Sequence, residues 1–482
     1  ADFYLQFFTL HKIYNQLLVE EKLETISSHK FFPLAKIILS DFNQIDSDLV
    51  DAEKLYRDLE DISVINKDFD YLSPKQYEFL SQFWTSYAEG KHKRQQELFI
   101  KMWRRMPKLY EQFHITLKAQ DYITNGYAYR LLAEGDINEQ EFLNNFNKGK
   151  IIFVGFNALS SAEERIFKQL QESNKALFYF DTDEYYLSDP LQEAGLFLRK
   201  NINQLGLKNV FVHQPSLMKT DQHSVNVFKV QGQSVQAKIL NTILVDDYEK
   251  ADDVGSTVVV LADESLLIPT LQTIPTQHNG KDIDLNVTMG FALATSSIFG
   301  LVDLWIMAQL ALLQGDTLSY KTVEAFITHP LSGLSDKMRN KIQTALLDEN
   351  VVEIDHQRLL KQSGLFEVFY KKINQPENVI ACLLAVLDYV LTRLSNAKTL
   401  KKIDAELFVK TIQELNRLYD TFGKHIEKEE IAFVIYLVQN SLQAVAVPLA
   451  GDPLNGIQVM GLLETRNLNF DKVVFLGFNE GI

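Results

Sequence analysis

Residues Ile457 to Ile482 read IQVMGLLETRNLNFDKVVFLGFNEGI. Val473, Val474, Phe475 and Leu476 form a continuous apolar run, the pattern of a parallel strand buried on both faces. Asn479, Glu480 and Gly481 then fall at its carboxyl end, where open α/β sheets bind their ligands.

The same texture recurs twice earlier in the chain. From Lys150 the order is strand, helix, strand: KIIFVGF, SSAEERIFKQLQES and KALFYFDTD, a βαβ signature. A second α/β unit begins near Val225 with VNVFKVQG, then the helix SVQAKILNTIL, the strand STVVVLAD and the segment DLNVTMGFAL. The rest reads as helix. Residues 1–149 place Phe, Tyr and Leu at three and four spacing, with Ser73-Pro74 as a helix start. Between 296 and 450 Phe408, Ile412, Leu415, Tyr419 and Phe422 repeat that spacing up to Gly423, which is placed to end the helix.

With 482 residues the chain is too long for one core, and 46% hydrophobic residues give ample material for burial. A net charge of −15 argues against a uniformly basic nucleic-acid coat, though not against a local groove, because exposed charges are screened beyond roughly 8 Å. The single cysteine, Cys382, lies in the apolar run ACLLAVLDYVL and reads as a buried thiol; one cysteine supports no disulfide framework, cysteine zinc site or iron–sulfur cluster within this chain. No signal peptide is visible at ADFYLQFF, and Ile298 to Leu313 is short and interrupted by Asp303 and Gln309, so a core helix is expected rather than a membrane span. A soluble, cytoplasmic protein without membrane contact is the expectation.

The terminal stretch also resembles motif V of superfamily 1 helicases of the UvrD/RecB type, through Met460, Gly461, Glu464, Thr465, Arg466, Leu468 and Phe470 ahead of Asn479, Glu480 and Gly481. Together with DFNQIDSDLVDA and FVGFNALSSAEERI it is similar to the helicase-like part of AddB-related PD-(D/E)XK nucleases, Bacteroidetes type. The resemblance implies an α/β fold of two incomplete RecA-like parallel-sheet lobes with large helical insertions. Residues 1–149 are then a helical insertion of the first lobe and 150–222 its remainder. Residues 223–295 open the second lobe, 296–450 are its insertion, and 451–482 return to it. Because the chain ends directly after the motif, a segment of a larger protein is expected.

An ATP-driven motor needs a phosphate loop, and no GxxxxGK[ST] occurs; in the resembling families it lies upstream of this chain's start. Active relatives end the strand before the acidic box in Asp-Glu, which hold magnesium and position the attacking water. Here IIFV is followed by Gly155 and Phe156, which can do neither. Motif V shows a parallel loss, with Gly461, Leu463 and Asn469 where active relatives carry Thr, His and Glu, while Arg466 stands in place of Lys. Gln236-Ala237 replaces the usual Glu-Ala. No cofactor and no catalytic or metal-binding residue is therefore expected in this chain. Asp263-Glu264 after STVVVLAD imitates a metal box but reads as a capping pair. Asp181, Asp183, Glu184 and Asp189 read as a solvated strand end, and His329-Pro330 as a helix stop.

Three places could touch DNA. Arg466, flanked by Thr465 and Asn467, is favoured by position. KHKRQQELFIKMWRRMPKLY, Lys91 to Tyr110, mixes Lys101, Arg104 and Arg105 with Trp103, which suits phosphate contact and base stacking; its other reading is a solvated helix with Trp103 and Phe99 facing a core. Arg130 in Gly126-Tyr127-Ala128-Tyr129-Arg130 either contacts DNA or pairs with Glu134 or Asp136. The resemblance implies an inactivated helicase-like module of a double-strand-break-processing exonuclease. Its partners are single-stranded DNA or DNA ends and an AddA-like helicase-nuclease subunit; the competing reading is a scaffold that docks a partner helicase without touching DNA.

Overall fold

A computed structural model describes residues 1–58, 94–135, 149–211, 215–220, 224–250, 256–278, 281–348, 351–361, 364–448, 456–466 and 468–479. Ser73-Pro74, Lys91, Lys93, Asn467, Glu480 and Gly481 lie outside the described residues, as do the side chains of Arg94 and Phe99. The protein is mixed α/β, with small parallel sheets among many helices. It divides into two compact units, Ala1–His223 and Ser224–Ile482.

The first unit opens with helices α1 (Phe3–Glu20), α2 (Ser28–Ser47), α3 (Ala52–Asp58), α4 (Arg94–Lys118) and α5 (Asn125–Glu134). Their apolar stripes converge on an aromatic core in which Phe7 meets Phe32 at 5.0 Å and Phe42 meets Tyr110 at 5.1 Å. Thr124 caps α5 by accepting from the Tyr127 N–H, and Gly135, at φ 76°, ends it in the left-handed conformation that glycine tolerates. Helices α2 and α5 touch backbone to backbone. A Cβ on Gly126 would lie 2.7 Å from the Asn43 carbonyl oxygen.

Strand β1 (Ile151–Val154), helix α6 (Ser161–Glu172) and strand β2 (Ala176–Tyr179) follow, with β1 and β2 parallel in the register Ile151↔Ala176. Ser160 and Glu163 form a reciprocal capping box that starts α6. Phe167, Leu170, Phe178 and Phe180 fill one side of this sheet, whereas Ile152 and Val154 on the other are exposed.

In the second unit residues 225–230 form no regular element. Val225 and Val227 stand almost fully exposed there, so the alternating apolar pattern has no buried face to occupy. The regular structure starts with α7 (Gln233–Lys250), β3 (Thr257–Leu261), β4 (Leu285–Val287) and β5 (Gly290–Ala292). The main helices that follow are α8 (Ser297–Gln314), α9 (Asn378–Asn396), α10 (Lys402–Phe422) and α11 (Ile431–Gln443). The chain then returns through β6 (Ala446–Pro448), antiparallel to β5, to β7 (Ile457–Gly461) and β8 (Lys472–Leu476).

Strands β8, β3, β7 and β4, in that order, form a four-stranded parallel sheet. Every residue of β3 and β7 is buried, as the inner strands of a covered parallel sheet are, and the polar Gln458 of β7 pairs with Asn286 of β4. The expectation of two buried faces fails for β8, because it is an edge strand: Val474 and Leu476 pack on the core while Val473 and Phe475 are exposed. Helices α8 and α9 are long and apolar enough to cross a membrane; in this unit they pack against neighbouring helices, with Trp305 and Leu383 buried. Cys382 on α9 is half-buried, and burial pushes its thiol above the ordinary value.

Candidate functional site

The pairings Leu476↔Leu261 and Gly461↔Leu261 bring the carboxyl ends of β8, β3 and β7 level. Three short connections therefore meet on one edge: Gly477–Asn479 after β8, Ala262–Glu264 after β3, and Leu462–Arg466 after β7. Gly477 turns at φ 75°, close under the Asp263 backbone, so a side chain there would be strained. The first turn of α7 completes the edge. The Gln236 side-chain oxygen accepts from the Gly477 N–H at 3.1 Å, its amide lies 3.4 Å from Asn479 Oδ1, and Gln233 donates to Asp263 at 2.6 Å.

On this edge Arg466 is exposed, and its Nε donates to the Leu463 carbonyl at 3.3 Å. That bond braces the guanidinium against its own turn and leaves its outer nitrogens facing solvent. Thr465 donates its hydroxyl to the Leu462 carbonyl at 2.8 Å and so tightens the turn. The Glu464 carboxylate folds back over Gly461, where a Cβ would meet it. Asp263 accepts from the Ser265 hydroxyl and N–H, which hold its carboxyl below the ordinary value, and it caps the turn beginning at Glu264. Asp263 thus serves as a cap. The edge also displays apolar side chains: Leu462, Leu463, Leu468, Phe475 and Phe478 are all exposed.

The candidate residues of the first unit separate into two groups. Lys101 and Arg104 lie exposed on α4. Trp103, only three residues from the buried Met106, is half-buried; its indole donates to the Tyr56 carbonyl at 3.2 Å and packs edge-on against that ring at 5.1 Å. Arg105 is 8% exposed and grips Glu21 through two nitrogens at 2.8 and 2.6 Å. Arg130 is 14% exposed. It pairs with Glu134 at 3.1 Å and donates to the carbonyls of Ile45 and Val50 at 3.2 and 2.9 Å. Neither Arg105 nor Arg130 presents its guanidinium to a ligand, and Trp103 has its polar edge bonded inside the helical array. The cause is position: Arg105 lies on the same helical stripe as Leu109 and Phe113, so it points inward and must find a counter-charge.

Arg130 serves a buried centre that no sequence motif marks. Asp46 is fully buried, facing the Tyr110 hydroxyl, His114 Nε2 at 3.2 Å and Arg130 at 3.6 Å. Burial and the hydrogen bond to Asp46 push the Tyr110 phenol far above its ordinary value, and His114 stacks on Tyr127 at 4.1 Å. The available signal was that Asp46 follows Ile38, Phe42 and Ile45 on one apolar stripe, an improbable place for a solvated carboxylate. Arg199 is likewise unmarked; it donates to the carbonyls of Tyr186, Asp189, Pro190 and Gln192 and so organises the loop after β2. Asp183 and Asp189 in that loop accept from the N–H groups of Tyr185 and Leu191, turn-forming bonds that account for part of the acidic cluster. Among the described residues no group of His, Cys, Asp and Glu is arranged to hold a metal ion.

At the carboxyl end of β1, Gly155 turns at φ 73° and Phe156 packs edge-on against Phe167 at 5.1 Å and Phe153 at 5.8 Å. An aromatic contact therefore occupies the strand end where a metal-binding pair of carboxylates was sought. Set against known proteins, the chain matches no family model and no curated protein.

Proposed function

We propose that the chain is a helicase-like module without ATPase activity that holds single-stranded DNA across the carboxyl edge of its four-stranded sheet. Two incomplete RecA-like lobes are the fold this reading assigns, supported by the β1–α6–β2 unit and by the level parallel strands of the second unit. Phe153, Phe156 and Phe167 form an apolar cluster at the end of β1, which has no means of activating water. Translocation then falls to a partner, an AddA-like helicase-nuclease subunit, and cutting to a PD-(D/E)XK domain outside this chain.

The observation that carries the reading is the exposed Arg466, braced on the turn directly after β7. Parallel sheets take their ligands at this edge, and a fixed guanidinium is suited to a phosphate. The test is fluorescence anisotropy of a labelled single strand at about 50 and 200 mM salt. Affinity is expected to fall with salt, and Arg466→Ala to weaken it and reduce the slope of log affinity on log salt by about 0.7, the share of one phosphate. Absent or salt-independent binding overturns the proposal. The second reading, a docking scaffold for a partner helicase, is favoured by the exposed Leu462, Leu463 and Leu468 and by the acidic balance of the chain.

A further inference from the structure

We infer that Phe478 is a base-stacking platform, so that a single strand crosses the sheet edge with a base on Phe478 and its backbone toward Arg466; this rests on the DNA-binding reading above. Phe478 is 86% exposed. Its neighbours behave differently: Leu476 is buried in the main core, and Phe470 packs against Val258, Val260 and Met460 on the other face. The Gly477 turn at φ 75° directs the chain outward, and the Phe478 ring lies 6.2 Å from that of Phe475, tilted at 55°, so a second exposed ring lies beside it.

The arrangement suits a nucleic acid strand in three respects. Strands β8 and β7 are separated by β3, two strand spacings or roughly 10 Å, and their ends are level, so the aromatic and cationic positions share one ledge. A phenyl face accepts any base, which supplies affinity without a sequence code. Of the acidic groups near the ledge, Asp263 is engaged with Gln233 and Ser265, and Glu464 lies against Gly461. Arg466 is left as the guanidinium positioned for phosphate.

The test uses the full chain and two labelled oligonucleotides of equal length, one of thymidines and one abasic throughout. For the thymidine strand, Phe478→Ala is expected to weaken binding roughly five- to a hundredfold and Phe478→Trp to preserve it. For the abasic strand, Phe478→Ala is expected to change nothing, whereas Arg466→Ala weakens both. Because Phe478 is exposed, an unchanged thermal melt of the variant confirms that folding is intact. Binding that is salt-dependent and sensitive to Arg466→Ala, yet equal for wild type and Phe478→Ala, overturns the stacking role alone and leaves Phe478 to a protein partner. Equal losses on both strands overturn it too. Failure of the wild type to bind either strand overturns the DNA reading itself, and the inference with it.

Discussion

Replacing Arg130 by alanine tests whether this arginine is a buried strut or a DNA contact. The Asp46 carboxylate has no solvent exposure, and its neighbours are the Tyr110 hydroxyl, His114 and Arg130. Removing the guanidinium takes away the permanent counter-charge and the donor to the carbonyls of Ile45 and Val50, which close the end of α2. Breaking a buried pair from one side costs about 3–5 kcal/mol. For a unit of this size that lowers the melting temperature by roughly 6–20 °C. Urea unfolding followed by circular dichroism measures the loss, and hydrogen exchange places it on the amides of α2 and α5. The double variant with Asp46→Asn is expected to be less destabilised than the two single losses added together, by about 0.5–3 kcal/mol. A loss under about 1 kcal/mol, together with weakened oligonucleotide binding, refutes the strut and returns Arg130 to the surface.

Three further outcomes follow from the same geometry. Gly126→Ala forces a methyl group to within 2.7 Å of Asn43 and is expected to destabilise the first unit by about 1–3 kcal/mol in urea unfolding. The hydrogen bonds from Arg105 hold the Glu21 carboxyl below its ordinary value of 4.5, so the stability this pair supplies is complete above that value and is lost as pH falls through the lower, folded one. Glu21→Gln is therefore expected to flatten the acid limb of a pH–stability profile and to leave less stability at neutral pH. Asp263→Asn removes a negative charge from the ledge between Phe478 and Arg466, and anisotropy is expected to report tighter single-strand binding at low salt and a smaller gain at high salt.

How much of this was legible in the sequence depends on how local the cause is. The run VVVL announces a buried strand because a parallel sheet covered on both faces demands apolar residues at successive positions, whereas IQVMG is interrupted by Gln458, which is buried only because Asn286 of the neighbouring strand receives it. VVFL has the same composition but lies on the edge strand, and sheet order is a long-range property that one strand does not encode. VNVFKVQ shows the converse, since alternation prescribes a strand only where another strand receives it. Of the candidate residues, Arg466, chosen by motif position, is exposed, whereas Trp103 and Arg105, chosen by composition, are turned inward by the fold. The Asp46 centre joins α2, α4 and α5 across a span of 84 residues, so its partners emerge only when the helices pack.

Photochemical crosslinking of the full chain to a single strand carrying halogenated thymines, with the attachment sites read by peptide mass spectrometry, locates the bound DNA. Crosslinks are expected on the segments after β7 and β8, at Leu462–Arg466 and at Phe478, to disappear with excess unlabelled strand, and to need no nucleotide triphosphate. Crosslinks confined to the first unit, or none above the background of a non-binding control protein, would contradict the account.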